Sequence, residues 1–405
     1  MTATPTAAHR RDAAPAAASP PQGRVLGVDA ARGVALLGMM AVHALYVTDA
    51  QGQETWVGLI ATGNAAALFA VLAGVGIAFL TGRARVRGAV DTRRAAASLT
   101  ARAVVIGLLG LALGGATDPE VATVILAYYA VLFVLAIPLV LLPTRVLLAG
   151  AVLGAAAIPV GSHLVRGHLP PPDLDNPSLS WLVTDPAELL RELFLTGSYP
   201  ALSWLPYLAV GLAIGRAPLR SPRLAAGLAG GGVALAAAAS GASALLLGPG
   251  GGLARITAAS SALDPADLQE ILTVGPDGTT PTTTWWWLAV DTPHSSTPLD
   301  LARTTGIALA VIGALLLLDR VRHPVATVLH APLAAAGAMT LTFYTLHVLF
   351  LNSPVDVYDP VPGYVLQVVA VLLLGLAWRA SAGRGPLESL ASAAGVRAAR
   401  WVTPG

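Results

Sequence analysis

Two ionisable residues lie in the first long apolar stretch of the chain, LGVDAARGVALLGMMAVHALYV. His43 follows Arg32 by eleven positions, so on a helix the two share one broad face and lie about 16 Å apart along the axis. Asp29 precedes Arg32 at the i,i+3 spacing that permits an ion pair. Charged groups in an apolar span are costly to bury and indicate a partner, a pathway or a reaction. Histidine can take a proton from a hydroxyl or amine and return it, as a general base in group transfer must.

His347, in MTLTFYTLHVLFLNS, is predicted at a similar depth of a later span. Two imidazoles at one level could line one polar cavity. The alternative for each is a hydrogen bond to a backbone carbonyl or a hydroxyl that merely ties helices together. Arg32 has the same two interpretations: a structural pair with Asp29, its side chain snorkelling to the interface, or a group that holds an anionic cofactor or supports the reacting centre.

A basic loop follows the second apolar stretch and continues into the third. Arg94 lies in this loop, and Arg102 lies already inside the third stretch. Together with their neighbours they could bind the phosphates of a nucleotide-bearing donor such as coenzyme A. Membrane topology alone would also place arginines in the loop.

Two further candidates lie before the eighth span. Trp285 begins a run of three tryptophans, which predicts either an aromatic anchor at the interface or a platform for sugar rings. His294, in DTPHSSTP, is either an acceptor-binding residue or part of a loop turn. His163, His168 and His294 have no metal-ligand spacing, so no metal site is predicted.

The composition requires elements that cross a membrane. Of 405 residues 55% are hydrophobic and 11% charged, the net charge is +2, and the mean hydropathy is +0.70. These values predict an all-α, polytopic membrane protein and make nucleic acid an unlikely partner. The absence of cysteine excludes disulfides, thiolate metal sites and a cysteine nucleophile.

Ten stretches are long and apolar enough to span a bilayer. They are Val25–Val47, Val57–Leu80, Ala95–Ala116, Val121–Leu142, Val146–Val165, Tyr199–Gly215, Leu224–Leu247, Leu299–Leu318, Ala331–Asn352 and Tyr364–Trp378.

The arginines cluster in alternate connections, which by the positive-inside rule places both termini in the cytoplasm and the protein in the cytoplasmic membrane. Residues 1–24 are predicted as a disordered cytoplasmic tail, 25–380 as the membrane domain and 381–405 as a cytoplasmic C-terminal tail. Outer loops 166–198 and 248–298 each contain a helix start, Asp185-Pro186 and Asp264-Pro265. Small residues in the second span permit tight contacts within the chain or in a homodimer.

Several segments resemble the transmembrane acyltransferase superfamily, which includes acyltransferase family 3, the YeiB family and heparan-α-glucosaminide N-acetyltransferase. The resemblance is greatest to the YeiB-like and glucosaminide-acetyltransferase-like branch, and it extends from about residue 24 to 390. It rests on the order and spacing of VDAARGVALLG, LFAVLAGVGIAFL, ILAYYAV, TGSYPALSWLPYLAVGLAIGR, TPHSSTPLDLARTTGIALAVIG, GAMTLTFYTLHVL and WRASAGRGPLESL.

The resemblance implies a membrane enzyme that transfers an acyl group from acetyl-CoA or another acyl-CoA to a hydroxyl or amine, commonly of a carbohydrate or lipid-linked acceptor outside the cytoplasm. Arg32 and His43 reproduce the Arg-x10-His of acyltransferase family 3, whose histidine is proposed as the base. In the glucosaminide branch the position of His43 is typically asparagine, and the functional histidine lies where this chain has Glu54. Both a base or acyl-carrier role for His43 and an acceptor-binding role for Glu54 are therefore expected.

A different class of function also fits ten helices with polar residues at mid-membrane. A transporter or lipid-precursor flippase would use alternating access, and its sequence should contain two matching broken helices. No such pair is found, so the acyltransferase is preferred. A structural or regulatory membrane subunit is the third interpretation.

Overall fold

The computed structural model describes residues 24–402 except 277 and 322, and only the backbone of 325–327 and 329. The predicted N-terminal tail, residues 1–24, therefore lies almost entirely outside the described residues. Within them the chain is helical, with one isolated β-bridge between Thr48 and Glu54. The helices are α1 (Leu26–Ala44), α2 (Trp56–Ala61), α3 (Asn64–Leu80), α4 (Ala89–Gly114), α5 (Leu126–Val140), α6 (Thr144–Arg166), α7 (Leu179–Thr184), α8 (Pro186–Arg191), α9 (Ala201–Arg216), α10 (Pro222–Leu247), α11 (Gly252–Ala259), α12 (Pro265–Thr273), α13 (Pro298–Leu318), α14 (Pro324–Ala336), α15 (Thr340–Leu351), α16 (Pro360–Ser381) and α17 (Pro386–Trp401).

Apolar helices lie in all ten predicted stretches. Eight are long and apolar enough to cross a bilayer, where α2 with α3, and the end of α14 with α15, each count as one span. The other two predicted stretches contain the shorter apolar helices α5 and α9. The prediction of an all-α polytopic membrane protein is therefore confirmed.

Two of the predicted spans are interrupted. The second breaks at Thr62 and Gly63, where Gly63 has φ +71° and packs against Pro293. The ninth breaks at a 3-10 turn, Gly337–Met339. Beyond this turn, the Glu388 carboxylate of α17 accepts hydrogen bonds from the backbone N–H groups of Leu341 and Thr342 at 2.8 and 3.1 Å. These bonds satisfy donors that a helix start leaves unpaired.

Helix α1 lies at the centre of the bundle and packs against α3, α13, α14 and α16. Its close approach to α14 depends on glycine, because a Cβ on Gly33 would collide with the Leu333 carbonyl oxygen. Gly74 of α3 and Gly211 of α9 likewise lie against each other's backbone. The small residues predicted to permit tight contacts thus make them within the chain. At the periphery, α10 and α16 keep most of their apolar surface exposed.

The two helix starts predicted at Asp185 and Asp264 are confirmed. Asp185 accepts a hydrogen bond from the Glu188 N–H and precedes α8. Asp264 accepts one from the Ala266 N–H and precedes α12. In both helices proline occupies the first turn, where its missing N–H costs nothing.

Candidate active site

The two histidines predicted at one depth are in contact. His43 Nδ1 lies 3.2 Å from His347 Nε2, and the rings stack with an interplanar angle of 8°. Their residues are 304 positions apart in the sequence. The other ring nitrogen of His347, Nδ1, lies 2.6 Å from Gln367 Oε1 of α16. His347 is buried, with 3% of its surface exposed, whereas His43 is partly exposed.

These contacts determine the positions of the protons when both rings are neutral. A carboxamide oxygen accepts and does not donate, so His347 Nδ1 carries the proton and donates it to Gln367. His347 Nε2 is then an acceptor, and His43 Nδ1 donates to it. His43 Nε2 is left with its lone pair, which is the form that a general base or a nucleophile requires.

A cavity of about 840 Å³ extends from the start of α1 toward this pair. We call it the arginine cavity, because five arginines line it with only two acids, Asp29 and Glu388. The arginines are Arg24, Arg32, Arg83, Arg102 and Arg384. Such an excess of guanidinium groups favours an anionic ligand.

Arg32 is partly committed to the ion pair that its spacing predicted. Its Nη1 lies 3.3 Å from Asp29 Oδ1, and Arg24 Nε lies 3.0 Å from Asp29 Oδ2. Arg32 nevertheless lines the cavity, and its Nη2 reaches Gly76 of α3. Arg102 differs, because its buried Nε has no hydrogen-bond partner.

A second cavity adjoins the first and shares Arg102 and Arg384 with it. Its volume is also about 840 Å³, and Arg94 lines it, with Asp91 as its acidic residue. Arg85, Arg87 and Arg400 complete its basic wall. The structure thus places Arg94 and Arg102 in one continuous basic surface.

Neither histidine lines the arginine cavity. Its far end is formed by Met39, one turn before His43, and by Tyr344. The Tyr344 ring centroid lies 6.3 Å from that of His43, and its hydroxyl accepts a hydrogen bond from the Ile125 N–H at 3.3 Å. Tyr344 therefore separates the cavity from the histidine pair.

His294 lies close enough to His43 to interact with it electrostatically. His294 has φ +58° and stacks edge-on against Tyr199, with centroids 5.4 Å apart. Burial, reinforced by the Arg303 guanidinium, lowers the pKa of His294 to about 4. It is therefore neutral at pH 7.

Arg303 of α13 is surrounded by carboxylates. Its Nε donates to the Asp291 carbonyl oxygen at 2.9 Å, and Asp291 and Asp300 carboxylate oxygens lie 3.8 Å from it. Glu54 also interacts with this arginine: burial raises the pKa of Glu54, and Arg303 opposes the rise. The structure thus brings Glu54 and His294 close to Arg303, and His294 close to His43.

The three tryptophans point to different surroundings. Trp285 is exposed and packs on His163 of α6, with centroids 4.6 Å apart. Trp286 lies under the guanidinium of Arg255, and Trp287 is fully buried. Trp285 therefore packs away from the histidine pair, against α6.

Sequence reasoning missed Gln367, Tyr344, Asp300 and Arg303. Gln367 is the lone amide in the apolar run of the tenth span, a signal that was available. Asp300 and Arg303 follow the helix start Thr297-Pro298, where charged residues are ordinary and carry little signal. As for metals, no group of three or more histidine or acidic side chains in the described part of the chain is arranged to hold an ion.

Fold and site together define a polytopic helical membrane protein in which a basic cavity leads toward a pair of histidines in contact. Residues 24–247, more than half of the chain, match the family described as heparan-alpha-glucosaminide N-acetyltransferase, catalytic. The chain belongs to this family and is a membrane acetyltransferase. The matched part contains Arg32, His43 and Arg102, whereas His294 and His347 lie beyond it. Comparison with curated proteins and with solved structures gave no match.

Proposed function

We propose that this protein transfers an acetyl or other short acyl group from acyl-CoA to an amine or hydroxyl of an extracytoplasmic carbohydrate or lipid-linked acceptor. Residues 25–380 form the transferase domain, which lies in the cytoplasmic membrane with both termini in the cytoplasm. The observation that carries the proposal is the hydrogen-bonded chain Gln367–His347–His43 beyond the end of the arginine cavity.

Acyl-CoA binds in the arginine cavity and the second cavity that adjoins it. Arg94 and Arg102 contact the phosphates of coenzyme A, and Arg32 supports the channel near its pantetheine arm. The unpartnered Nε of Arg102 supports this assignment, since a buried guanidinium donor without a partner is costly unless a ligand completes it. The thioester must then pass Tyr344 to reach His43, so movement of this ring is part of the cycle.

The acceptor binds from the opposite side, beside Glu54 and His294. Its nitrogen or oxygen attacks the thioester carbonyl carbon, the new bond to carbon forms, and the C–S bond breaks to release coenzyme A thiolate. His43 Nε2 takes the acceptor proton, which then passes to the thiolate. In the covalent variant the same Nε2 first carries the acyl group. His347 does not contact the reacting atoms but holds His43 in position. Exposed Trp285 contributes a stacking surface for an extended acceptor.

The test uses purified protein in proteoliposomes, with radiolabelled acetyl-CoA and glucosamine as the acceptor probe. A general base contributes about 10²- to 10⁴-fold, so we expect His43→Ala to lower the transfer rate by at least about 100-fold. His168→Ala, which changes an exposed loop histidine, is the control and should retain the rate. Thermal stabilisation by acetyl-CoA reports that His43→Ala is folded. A folded His43→Ala protein with undiminished transfer would refute the role of His43. Stabilisation by lipid-linked precursors alone, without transfer, would favour transport.

A further inference from the structure

The region beyond His43 contains buried polar atoms that lack partners. The break between α2 and α3 meets the segment before α13, where Gly63 touches Pro293 and His294. Five side-chain atoms in these two segments and in the first turns of α13 are buried without a hydrogen bond: Thr62 Oγ1, Asn64 Oδ1, Ser295 Oγ, Asp300 Oδ1 and Arg303 Nη2. Asn64 is 4% and Asp300 3% exposed. Because each such atom is costly to bury unpaired, their grouping indicates a place where a ligand supplies the partners.

Asp300 and Arg303 each have a buried side-chain atom without a hydrogen-bond partner, and the two atoms face each other. Asp300 Oδ2 is used, since it accepts from the Ser296 N–H at 3.0 Å. Asp300 Oδ1 is not, and it faces Arg303 Nη2 at 3.8 Å, beyond hydrogen-bond distance. Another donor of Arg303, Nε, is held by the Asp291 carbonyl oxygen. One acceptor and one donor therefore lie side by side, both free.

The rim of this region is accessible. The Asp291 side chain is 23% and the Arg303 side chain 14% exposed, and Glu54 is partly exposed as well. Asp291 is fixed by Ser240, whose hydroxyl donates to Asp291 Oδ2 at 2.8 Å. A ligand that reaches Asp291 and Arg303 therefore comes next to buried Asp300.

We propose that Asp300 Oδ1 and Arg303 Nη2 together bind one hydroxyl of the acceptor, next to the group that His43 deprotonates. A hydroxyl is the group that fits, because it donates to the carboxylate and accepts from the guanidinium at the same time. An ammonium has no lone pair for Arg303 and satisfies only Asp300. The pair thereby selects acceptors with a hydroxyl beside the reactive amine or hydroxyl, as in a sugar ring. This inference rests on the proposed function and adds residues outside the family match.

The experiment compares glucosamine with its 3-, 4- and 6-deoxy analogues in the proteoliposome assay. For the wild-type protein we expect one analogue to lose about 10- to 100-fold in kcat/KM, the effect of a missing hydrogen bond to charged groups. Asp300→Ala and Arg303→Leu should each lose a similar factor on glucosamine itself. On the analogue that wild type transfers poorly, each variant should lose no more than about twofold further in kcat/KM. The hydroxyl that Asp300 and Arg303 bind is already absent from that analogue.

Glu192→Gln is the matched control. Glu192 is also a buried outer-loop carboxylate, 1% exposed with an unpartnered Oε2, but it is held by Thr196 and belongs to another cluster. Glu192→Gln should show the same loss of kcat/KM on the deoxy analogue, relative to glucosamine, as the wild-type protein. Stabilisation by acetyl-CoA identifies the folded variants, and if Asp300→Ala fails to fold, Arg303→Leu alone decides.

Three results would overturn the inference. One is a wild-type protein indifferent to all three deoxy analogues. Another is a folded Asp300→Ala or Arg303→Leu variant that still loses as much kcat/KM on the deoxy analogue, relative to glucosamine, as wild type does. That result is expected if a water molecule bridges Asp300 and Arg303. If the wild type transfers to no acceptor at all, the proposed function fails and this inference fails with it. Normal wild-type transfer with an unchanged penalty in the variants overturns the inference alone.

Discussion

Gln367→Leu tests the proton arrangement on which the proposed chemistry depends. Leucine removes the oxygen that accepts from His347 Nδ1 at 2.6 Å, in a place where Gln367 is only 9% exposed. His347 can then leave that N–H unpaired, or it can move the proton to Nε2. In the second case His43 Nδ1 becomes the acceptor, and His43 Nε2 carries the proton and is no longer a base.

The magnitude follows from the cost of either outcome. An unpaired buried donor costs about 1–3 kcal/mol, and each 1.36 kcal/mol changes a rate by about tenfold. We therefore expect Gln367→Leu to lower kcat by roughly 10- to 100-fold. The KM for acetyl-CoA should change little, because Gln367 lies outside the arginine cavity. Gln367→Glu retains an accepting oxygen and should lose less.

The assay is the initial rate of acetyl transfer in proteoliposomes as a function of pH, with thermal unfolding measured in parallel. Asn176→Leu is a matched control, since Asn176 is a buried amide that accepts from the Val124 N–H, donates to the Ala122 carbonyl oxygen and has no hydrogen bond to either histidine. It should lower stability without changing the pH dependence of the rate. If Gln367→Leu is folded and its kcat and pH profile stay within about twofold of wild type, Gln367 does not set the positions of the protons on His347 and His43.

Four further predictions concern the donor site, pH, packing and topology. Arg102→Ala should raise the KM for acetyl-CoA about tenfold, whereas Arg320→Ala, an exposed arginine outside both cavities, should not; equal KM values would contradict the phosphate assignment. The pKa of His294 is lowered to about 4, so the unfolded state binds the proton first and stability falls as pH drops from about 6.5 to 4, by about 2 kcal/mol at pH 5. His294→Asn should remove that part of the slope in thermal unfolding, and an unchanged slope would refute it. Gly211→Leu should abolish the folded protein in detergent, because a Cβ already meets the Val71 carbonyl oxygen; a normal melting temperature would contradict the tight α3–α9 crossing. Since the chain has no cysteine, single substitutions Arg87→Cys and Gln51→Cys can be labelled selectively, and only the second should react from outside in intact cells.

The sequence by itself determined the elements. Hydropathy over about twenty residues is a local property, and it identified the eight helices long and apolar enough to cross a bilayer and the two shorter apolar helices, because a bilayer requires apolar helices. Helix capping is also local, because Asp185 and Asp264 accept hydrogen bonds from backbone N–H groups within three residues. Capping residues therefore predicted the starts of α8 and α12. The spacing of Asp29 and Arg32 likewise predicted their contact within one turn of helix.

The tertiary structure alone decided which side chains meet. His43 and His347 were predicted at one depth, but their contact, the role of Gln367 and the position of Tyr344 depend on how α1, α15 and α16 pack across 300 residues of chain. That packing is set by close crossings such as Gly33 against Leu333 and by the break at Gly337, where a Cβ would meet the Asp29 carbonyl oxygen. Hydropathy does not report these contacts, because an apolar helix satisfies the bilayer in any rotation about its axis, and only the complementary surface of its neighbours selects one.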